Sequence, residues 1–312
     1  MKRKPKRIAI IGLGLIGGSL ALALKEKGYE IVGITKKLKT IKIAKKKKAI
    51  NFGYTKLSKE SLKGVDVIFL STPLTYIPQY IKDIGKLIKD KVILTDVGST
   101  KFEICNSAKK FLPENIIFIG GHPMAGNENS SFLASEKSLF KNCAWILTPS
   151  TLSTPHKNDK KTKQAIKVLE NIITKTGAKT IITNSKEHDE AVALISHLPL
   201  LASIGLCQLV RKITNTKLKK LAQLIASSGF RDTTRISSGN AIMNSGLLTS
   251  NFPNLVKLLP EYKIELDKLI KSANKNPTLV KKTLEEVSKW RSHLYNTEGK
   301  NSLLHFHTFT QP

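Results

Sequence analysis

The sequence predicts an α/β fold, with a doubly wound parallel sheet over residues 1–183 and an all-α domain over residues 184–296. Three observations carry that prediction. Apolar runs of strand length alternate with helical stretches throughout the first half, as βαβ units require. Three glycines at ordered spacing join the first run to the first helix. From Asn184 onward the strand signal gives way to long helical periodicity.

The elements follow in order. RIAIIG is short and apolar, suited to a buried parallel strand, and LIGGSLALALKEKG continues it as a helix ended by Gly28. YEIVGIT is a second strand, followed by a Lys-rich helix. VDVIFLSTP, KVILTDVG and NIIFIGG read as strands, with YIPQYIKDIGKLIKD and TKFEICNSAKKFL as the helices between them. CAWILTP adds a strand, STLSTPHKNDKKTK a surface connection, and KQAIKVLENIITKTG with AKTIIT complete the pattern. Asn184, with Glu187 three positions on, predicts an N-terminal cap for a helix running through AVALISHLPLLASIGLCQLV. That helix is too apolar for a monomer surface and belongs in a helical core or subunit interface. The polar stretch 297–312 predicts a frayed tail.

Composition narrows the function. With 312 residues and 40% hydrophobic content the chain supports two folded domains. Cys105, Cys143 and Cys207 lie far apart without a CxxC pair, which argues against a disulfide framework or a metal site. The net charge of +29 is spread along the chain without a helix-turn-helix, zinc finger or aromatic RNA-binding box, so it reads as a solvated Lys-rich surface rather than a nucleic-acid interface. The basic, then apolar, N-terminus mimics a signal peptide, but five glycines and no clear cleavage site favour a cytoplasmic protein, and no membrane partner is expected.

The chemistry gathers at strand ends. Gly12-Leu13-Gly14-Leu15-Ile16-Gly17 is a GxGxxG between strand and helix: a tight turn, an open approach for a pyrophosphate, and close helix packing. The free N–H groups and dipole of the helix start favour phosphate, so this is a Rossmann-type dinucleotide site. Where NAD-specific sites carry an acid, the second strand ends in Thr35, Lys36 and Lys37, which suits the 2′-phosphate of NADP, with NAD the alternative. Ser71, Thr72 and Pro73 follow the next strand and line the cofactor, and Ser99 follows another, beside the nicotinamide end. Ser99 and Thr100 also suit simple helix capping. His122, in GGHPMAGNE, follows a further strand at the same edge, and imidazole accepts a proton near neutral pH. In the helical domain, Pro199 should kink the helix beside His197. Only six Arg stand among the 52 basic residues, yet Arg231 and Arg235 sit four apart in GFRDTTR, which suggests a bidentate carboxylate grip; a surface pair with Asp232 is the plainer reading of the former.

Taken in order, IAIIGLGLIGGSLA, TDVGSTK, GGHPMAGNE, DEAVALISHLP and SSGFRDTTR resemble the prephenate/arogenate dehydrogenase family over about residues 7–275, and look most similar to its cyanobacterial arogenate-using type. The resemblance implies a cyclohexadienol substrate that loses hydride from C4 to the nicotinamide and its ring carboxylate as CO2, giving tyrosine from arogenate. It implies His122 as the catalytic base on the C4 hydroxyl, Ser99 orienting that hydroxyl, Arg235 gripping substrate, and Arg231 and His197 shaping the pocket. It also implies a homodimer through the helical domains.

The chain departs from the family pattern in places. Many prephenate-using members carry SHLPH where this chain has Leu200, which favours arogenate. Gly239-Asn240-Ala241 replaces a GNP turn and predicts a looser one, and a tryptophan–aspartate signature is missing from AIMNSGLLTSN. The rival activities are a prephenate dehydrogenase and a β-hydroxyacid dehydrogenase, though no single lysine stands out for the latter. A Rossmann-based nucleic-acid binder or cofactor sensor is the alternative of another class.

Overall fold

A computed structural model of the chain describes residues 5–126, 131–149 and 160–296. The expected frayed tail, most of the 150–163 connection and the end of the GGHPMAGNE stretch lie outside the described residues. The first half runs β1 (Arg7–Ile11), α1 (Leu15–Glu26), β2 (Glu30–Ile34), α2 (Leu38–Lys46), β3 (Phe52–Tyr54), β4 (Val67–Leu70), α3 (Ile77–Leu87), β5 (Val92–Asp96), α4 (Phe102–Phe111), β6 (Ile116–Pro123), β7 (Ala144–Pro149), α5 (Lys160–Thr174) and β8 (Lys179–Ile182). The strands form one sheet in the order β3-β2-β1-β4-β5-β6-β7-β8.

Residues alternate between the two faces of this sheet, and both faces are buried. Along β1, Ile8 and Ile10 join Leu20 and Leu24 of α1 and Ile172 of α5 on one side. Ala9 and Ile11 join Ile77, Ile81 and Ile84 of α3 and Ile104 of α4 on the other. That is why the strands read as continuous apolar runs rather than alternating ones.

Three features differ from the sequence prediction. The short β3 was not anticipated; its three residues, Phe52 exposed and the other two partly exposed, pair with β2 through Val32 and Phe52. β7 runs antiparallel to β6, because only one turn of 3₁₀ helix, Phe132–Ala134, lies in the described part of the connection and no crossover helix reverses the direction. That pairing also lengthens β6: His122, expected in the loop after the strand, sits within it opposite Ile146.

The helical part begins with α6 (Ser185–Val192), a π-helical turn over Ala193–His197, and α7 (Leu198–Arg211). The Asn184 side chain caps α6 as expected, accepting from the N–H groups of Lys186 at 3.0 Å and Glu187 at 2.9 Å. The π turn stands directly before Pro199, so the missing proline N–H is absorbed by a local widening of the helix. α8 (Thr216–Leu224), α9 (Ser228–Thr234) and α10 (Ala241–Ser250) follow. Asn240 closes the turn before α10 by accepting from Ile242 N at 3.0 Å and Met243 N at 3.2 Å, so the absence of a proline at position 241 does not loosen it.

By compactness the chain divides at Leu255 and Val256. The second unit contains most of α11 (Phe252–Lys275) and all of α12 (Pro277–Asn296), and leaves Ile264, Ile270, Val287 and Trp290 exposed.

Candidate active site

The carboxyl ends of β1, β2 and β4 are drawn together by backbone hydrogen bonds, Gly12 N to Ile34 O at 2.8 Å and Ser71 N to Ile11 O at 2.7 Å. Gly12 has φ +99°, and a Cβ there would stand 2.4 Å from the Ser71 carbonyl oxygen, so no other residue fits the turn. A Cβ on Gly17 would stand 1.9 Å from the Gly12 carbonyl, which is the close helix–strand packing assigned to the third glycine of the motif. Gly14 stands at the start of α1, whose first turn has no side-chain cap. Leu15 is buried in the core, and Ile16 is partly exposed beside the turn. Two hydroxyl oxygens at the end of β4, Ser71 Oγ and Thr72 Oγ1, are buried without a protein partner, and Pro73 follows them. An open helix N-terminus beside two orphaned hydroxyls fits a dinucleotide pyrophosphate and ribose.

Thr35, Lys36 and Lys37 follow β2 directly, and both lysines are exposed. The Lys36 ammonium lies 5.8 Å from the centroid of the Tyr76 ring, which rises from the loop after β4. No acidic side chain follows β2 before α2 begins.

The next pair of strands builds the edge that carries Ser99 and His122. Asp96, at the end of β5, is fully buried with Lys101, and the two form an ion pair. The carboxylate also accepts from Gly98 N at 2.8 Å and Gly121 N at 3.1 Å, while Lys101 Nζ donates to Gly121 O at 2.8 Å. This pair therefore fixes both the loop carrying Ser99 and the β6 backbone just before His122. A Cβ on Gly121 would stand 2.4 Å from the Asp96 carbonyl oxygen, so the two strands meet there without room for a side chain.

His122 Nδ1 lies 2.9 Å from His188 Nε2, and His188 Nδ1 lies 2.7 Å from Asp189 Oδ1. The two rings meet edge to face, 71° apart. Asp189 accepts from the N–H groups of Lys101 at 2.7 Å and Phe102 at 2.9 Å, so a residue of the helical part caps α4. Neither Ser99 nor Thr100 is needed for that role, and Thr100 Oγ1 instead bonds Ser250 Oγ at 3.1 Å. Asn251 Nδ2 donates to Asp189 O at 2.7 Å and meets His197 Nδ1 at 3.0 Å.

Burial, followed by the nearby His188, Lys101 and His197, holds the His122 pKa well below the ordinary imidazole value. His197 is pushed down to about 4, chiefly by burial, with Asp189 opposing and His188 adding to the shift. Both rings are therefore neutral near pH 7. Among the described residues no grouping of His, Cys, Asp and Glu suits a metal ion.

The structure thus brings His122 to the sheet edge that carries Ser99, with His197 in the same hydrogen-bonded cluster. It does not bring Arg231 there. That guanidinium pairs with its neighbour Asp232 at 2.8 Å, and both side chains are exposed, as the plainer sequence reading had it. Arg235 follows α9 in a 3₁₀ turn on an exposed position. The sequence reading missed His188, Asp189, Lys101 and Asn251. The first two stand adjacent one turn into the capped helix, within the polar run Ser185 to Glu190 that gave neither of them distinction. Lys101 carried no signal in a chain with 52 basic residues.

A pyrophosphate turn at the head of a doubly wound sheet, one strand pair away from a half-buried neutral imidazole, is the arrangement of a nicotinamide-dependent oxidoreductase. Comparison with known proteins narrows this. The model of the prephenate dehydrogenase nucleotide-binding domain matches residues 20–182, and that of the prephenate dehydrogenase dimerization domain matches residues 184–286. The chain belongs to the prephenate dehydrogenase family. It is 32% identical over 276 residues to the prephenate dehydrogenase of Bacillus subtilis (strain 168), covering 86% of this chain and 70% of that one. It is 33% identical over 303 residues to that of Lactococcus lactis subsp. cremoris (strain MG1363), covering 94% and 79%. The crystal structure of Synechocystis arogenate dehydrogenase superimposes with a TM-score of 0.77 at 30% identity, covering 92% of this chain and 99% of that one.

Proposed function

We propose that this protein oxidatively decarboxylates arogenate to tyrosine in the cytoplasm, with NADP as hydride acceptor, and that it works as a homodimer with its domain boundary at residues 183 and 184. The observation that carries the reading is His122, kept neutral at the end of a strand in the same sheet as the dinucleotide turn. Bound NADP supplies the hydride acceptor. The residues of this chain do the rest. Gly12, Gly14, Leu15, Ile16 and Gly17 present the turn and helix start to the pyrophosphate, and Ser71, Thr72 and Pro73 line the nucleotide. Thr35, Lys36 and Lys37 receive the 2′-phosphate. Ser99 orients the C4 hydroxyl, and His122 accepts its proton, pushing electrons toward hydride loss. Arg235 grips a substrate carboxylate, with His197 in a supporting position. Leu200, buried where a second histidine would favour prephenate, supports arogenate, as does the likeness to the Synechocystis enzyme. The dimer reading is supported by the matching dimerization-domain model and by exposed Ile195 and Leu209 on the long apolar helix. By length and composition Ser185–Arg211 also suits a membrane. Its buried His188, Asp189 and His197, bonded into the cluster around His122, favour a subunit interface.

The names of the Bacillus and Lactococcus relatives favour a second reading, with prephenate as substrate and 4-hydroxyphenylpyruvate as product. Measuring kcat/KM for arogenate and prephenate, each with NADP and with NAD, separates the two. Arogenate with NADP is expected to lead by at least about tenfold, a difference of about 1.4 kcal/mol in the barrier. A prephenate lead replaces the first reading with the second. His122→Asn is expected to keep cofactor binding and lose most turnover with either substrate, and an unimpaired kcat removes His122 from the base role.

A further inference from the structure

Resting on His122 as the base, we infer that His188 and Asp189 are its positioning residues: they set which ring nitrogen of His122 is bare, and His188 holds the substrate proton while the carboxylate leaves. The argument starts at the carboxylate. Asp189 receives N–H groups from Lys101 and Phe102 at the start of α4, so its oxygens act as acceptors at the positive end of a helix. The 2.7 Å contact to His188 Nδ1 then needs its hydrogen on the imidazole. With Nδ1 protonated, His188 Nε2 carries a lone pair and is the acceptor in the 2.9 Å contact with His122. The hydrogen of that bond sits on His122 Nδ1. His122 Nε2 is left as the lone pair offered to the substrate hydroxyl.

The same chain moves a charge. The ionisable groups around His122 are His188 and Asp189 of α6, Lys101 with its partner Asp96 at the β5–α4 loop, and His197 of the π turn. A proton left on His122 stands near the Lys101 ammonium. One passed to His188 Nε2 charges a ring whose Nδ1 lies 2.7 Å from a carboxylate oxygen. In the step, the O–H bond breaks and its proton joins His122 Nε2, while the Nδ1 proton of His122 passes to His188 Nε2. The hydride leaves C4 with its electron pair, and the pair of the breaking ring–carboxylate bond enters the ring. The ring oxygen of the aromatic product regains a proton by the reverse path. The proton is borrowed and returned, so His188, 3% exposed, needs no route to solvent.

Asp189→Asn is a poor probe because Asp189 also caps α4. The test uses the ligand-free wild type and His188→Gln, whose amide oxygen can accept from His122 Nδ1 but cannot hold a second proton. Long-range ¹H–¹⁵N spectra of ¹⁵N-imidazole protein at pH 8, assigned with His122→Asn and His188→Gln, read the tautomers directly. Both rings are expected to be protonated at Nδ1, and a His122 protonated at Nε2 instead overturns the inference even if His188→Gln fails to fold. In turnover, His188→Gln is expected to lower kcat at least tenfold with KM for cofactor within twofold. A kcat within twofold of wild type overturns it, as does a parallel change in kcat and both KM values, which would reduce the pair to packing. A wild type that turns over neither acid defeats the proposed activity but leaves the spectroscopic result to judge this inference.

Discussion

The buried Lys101–Asp96 pair allows the most demanding test of how the site is held. Both side chains are fully buried, and Lys101 Nζ bonds the carboxylate and the Gly121 carbonyl at once. Lys101→Met keeps most of the side-chain volume and removes the ammonium. Asp96 then retains only Gly98 N and Gly121 N, and the Gly121 carbonyl loses its side-chain donor. Removing one partner of a buried pair costs about 3–5 kcal/mol, because the other charge stays desolvated. For a chain of this size each kcal/mol lowers Tm by about 2–4 °C, which puts the expected drop on the order of 10 °C. Urea unfolding followed by circular dichroism, with thermal scans alongside, measures it. The double variant Asp96→Asn/Lys101→Met removes both charges and is expected to recover at least about 1 kcal/mol over the single change. A single variant within about 1 kcal/mol of wild type, or a double variant no better than the single, refutes the view that this pair fastens the two strand ends.

Two more outcomes follow from the geometry. Changing Lys36 and Lys37 together to Ala should raise KM for NADP by roughly tenfold or more, the size of one lost charge-assisted hydrogen bond, and leave KM for NAD nearly unchanged; equal effects argue against a 2′-phosphate site. His197 is buried neutral with its pKa lowered to about 4, so the unfolded chain binds a proton that the folded chain refuses between pH 6.5 and about 4. Its contribution is therefore complete above pH 6.5 and falls as the pH drops through that window, by up to about 3 kcal/mol. His197→Asn should show a shallower acid loss in urea midpoints at pH 7.5, 6 and 4.5, and identical slopes would remove His197 from that role.

Much of the first domain was legible because a parallel sheet covered on both faces writes itself as unbroken apolar runs, and the glycines of the dinucleotide turn are dictated by clashes as close as 1.9 Å. Asn184 announced its helix for the same local reason: a cap is satisfied within three residues. The direction of β7 was not legible, since strand apolarity carries no sign, and β3 was too short to register. Arg231, read from its rarity and spacing as part of a carboxylate grip, pairs in the structure with the carboxylate one residue away.

What the sequence determined by itself was the strand-end addresses of the candidate groups: the glycine turn, the basic residues after β2, Ser99, and His122. These are fixed by short-range constraints on backbone shape and charge. Only the tertiary structure decided which partners those groups have. His122 meets His188 across 66 positions of chain, and Asp189 reaches back to cap α4 across 87. Hydrogen bonds of that range depend on how the helical part packs against the sheet, and no local pattern of residues encodes the packing that gives His122 its partner.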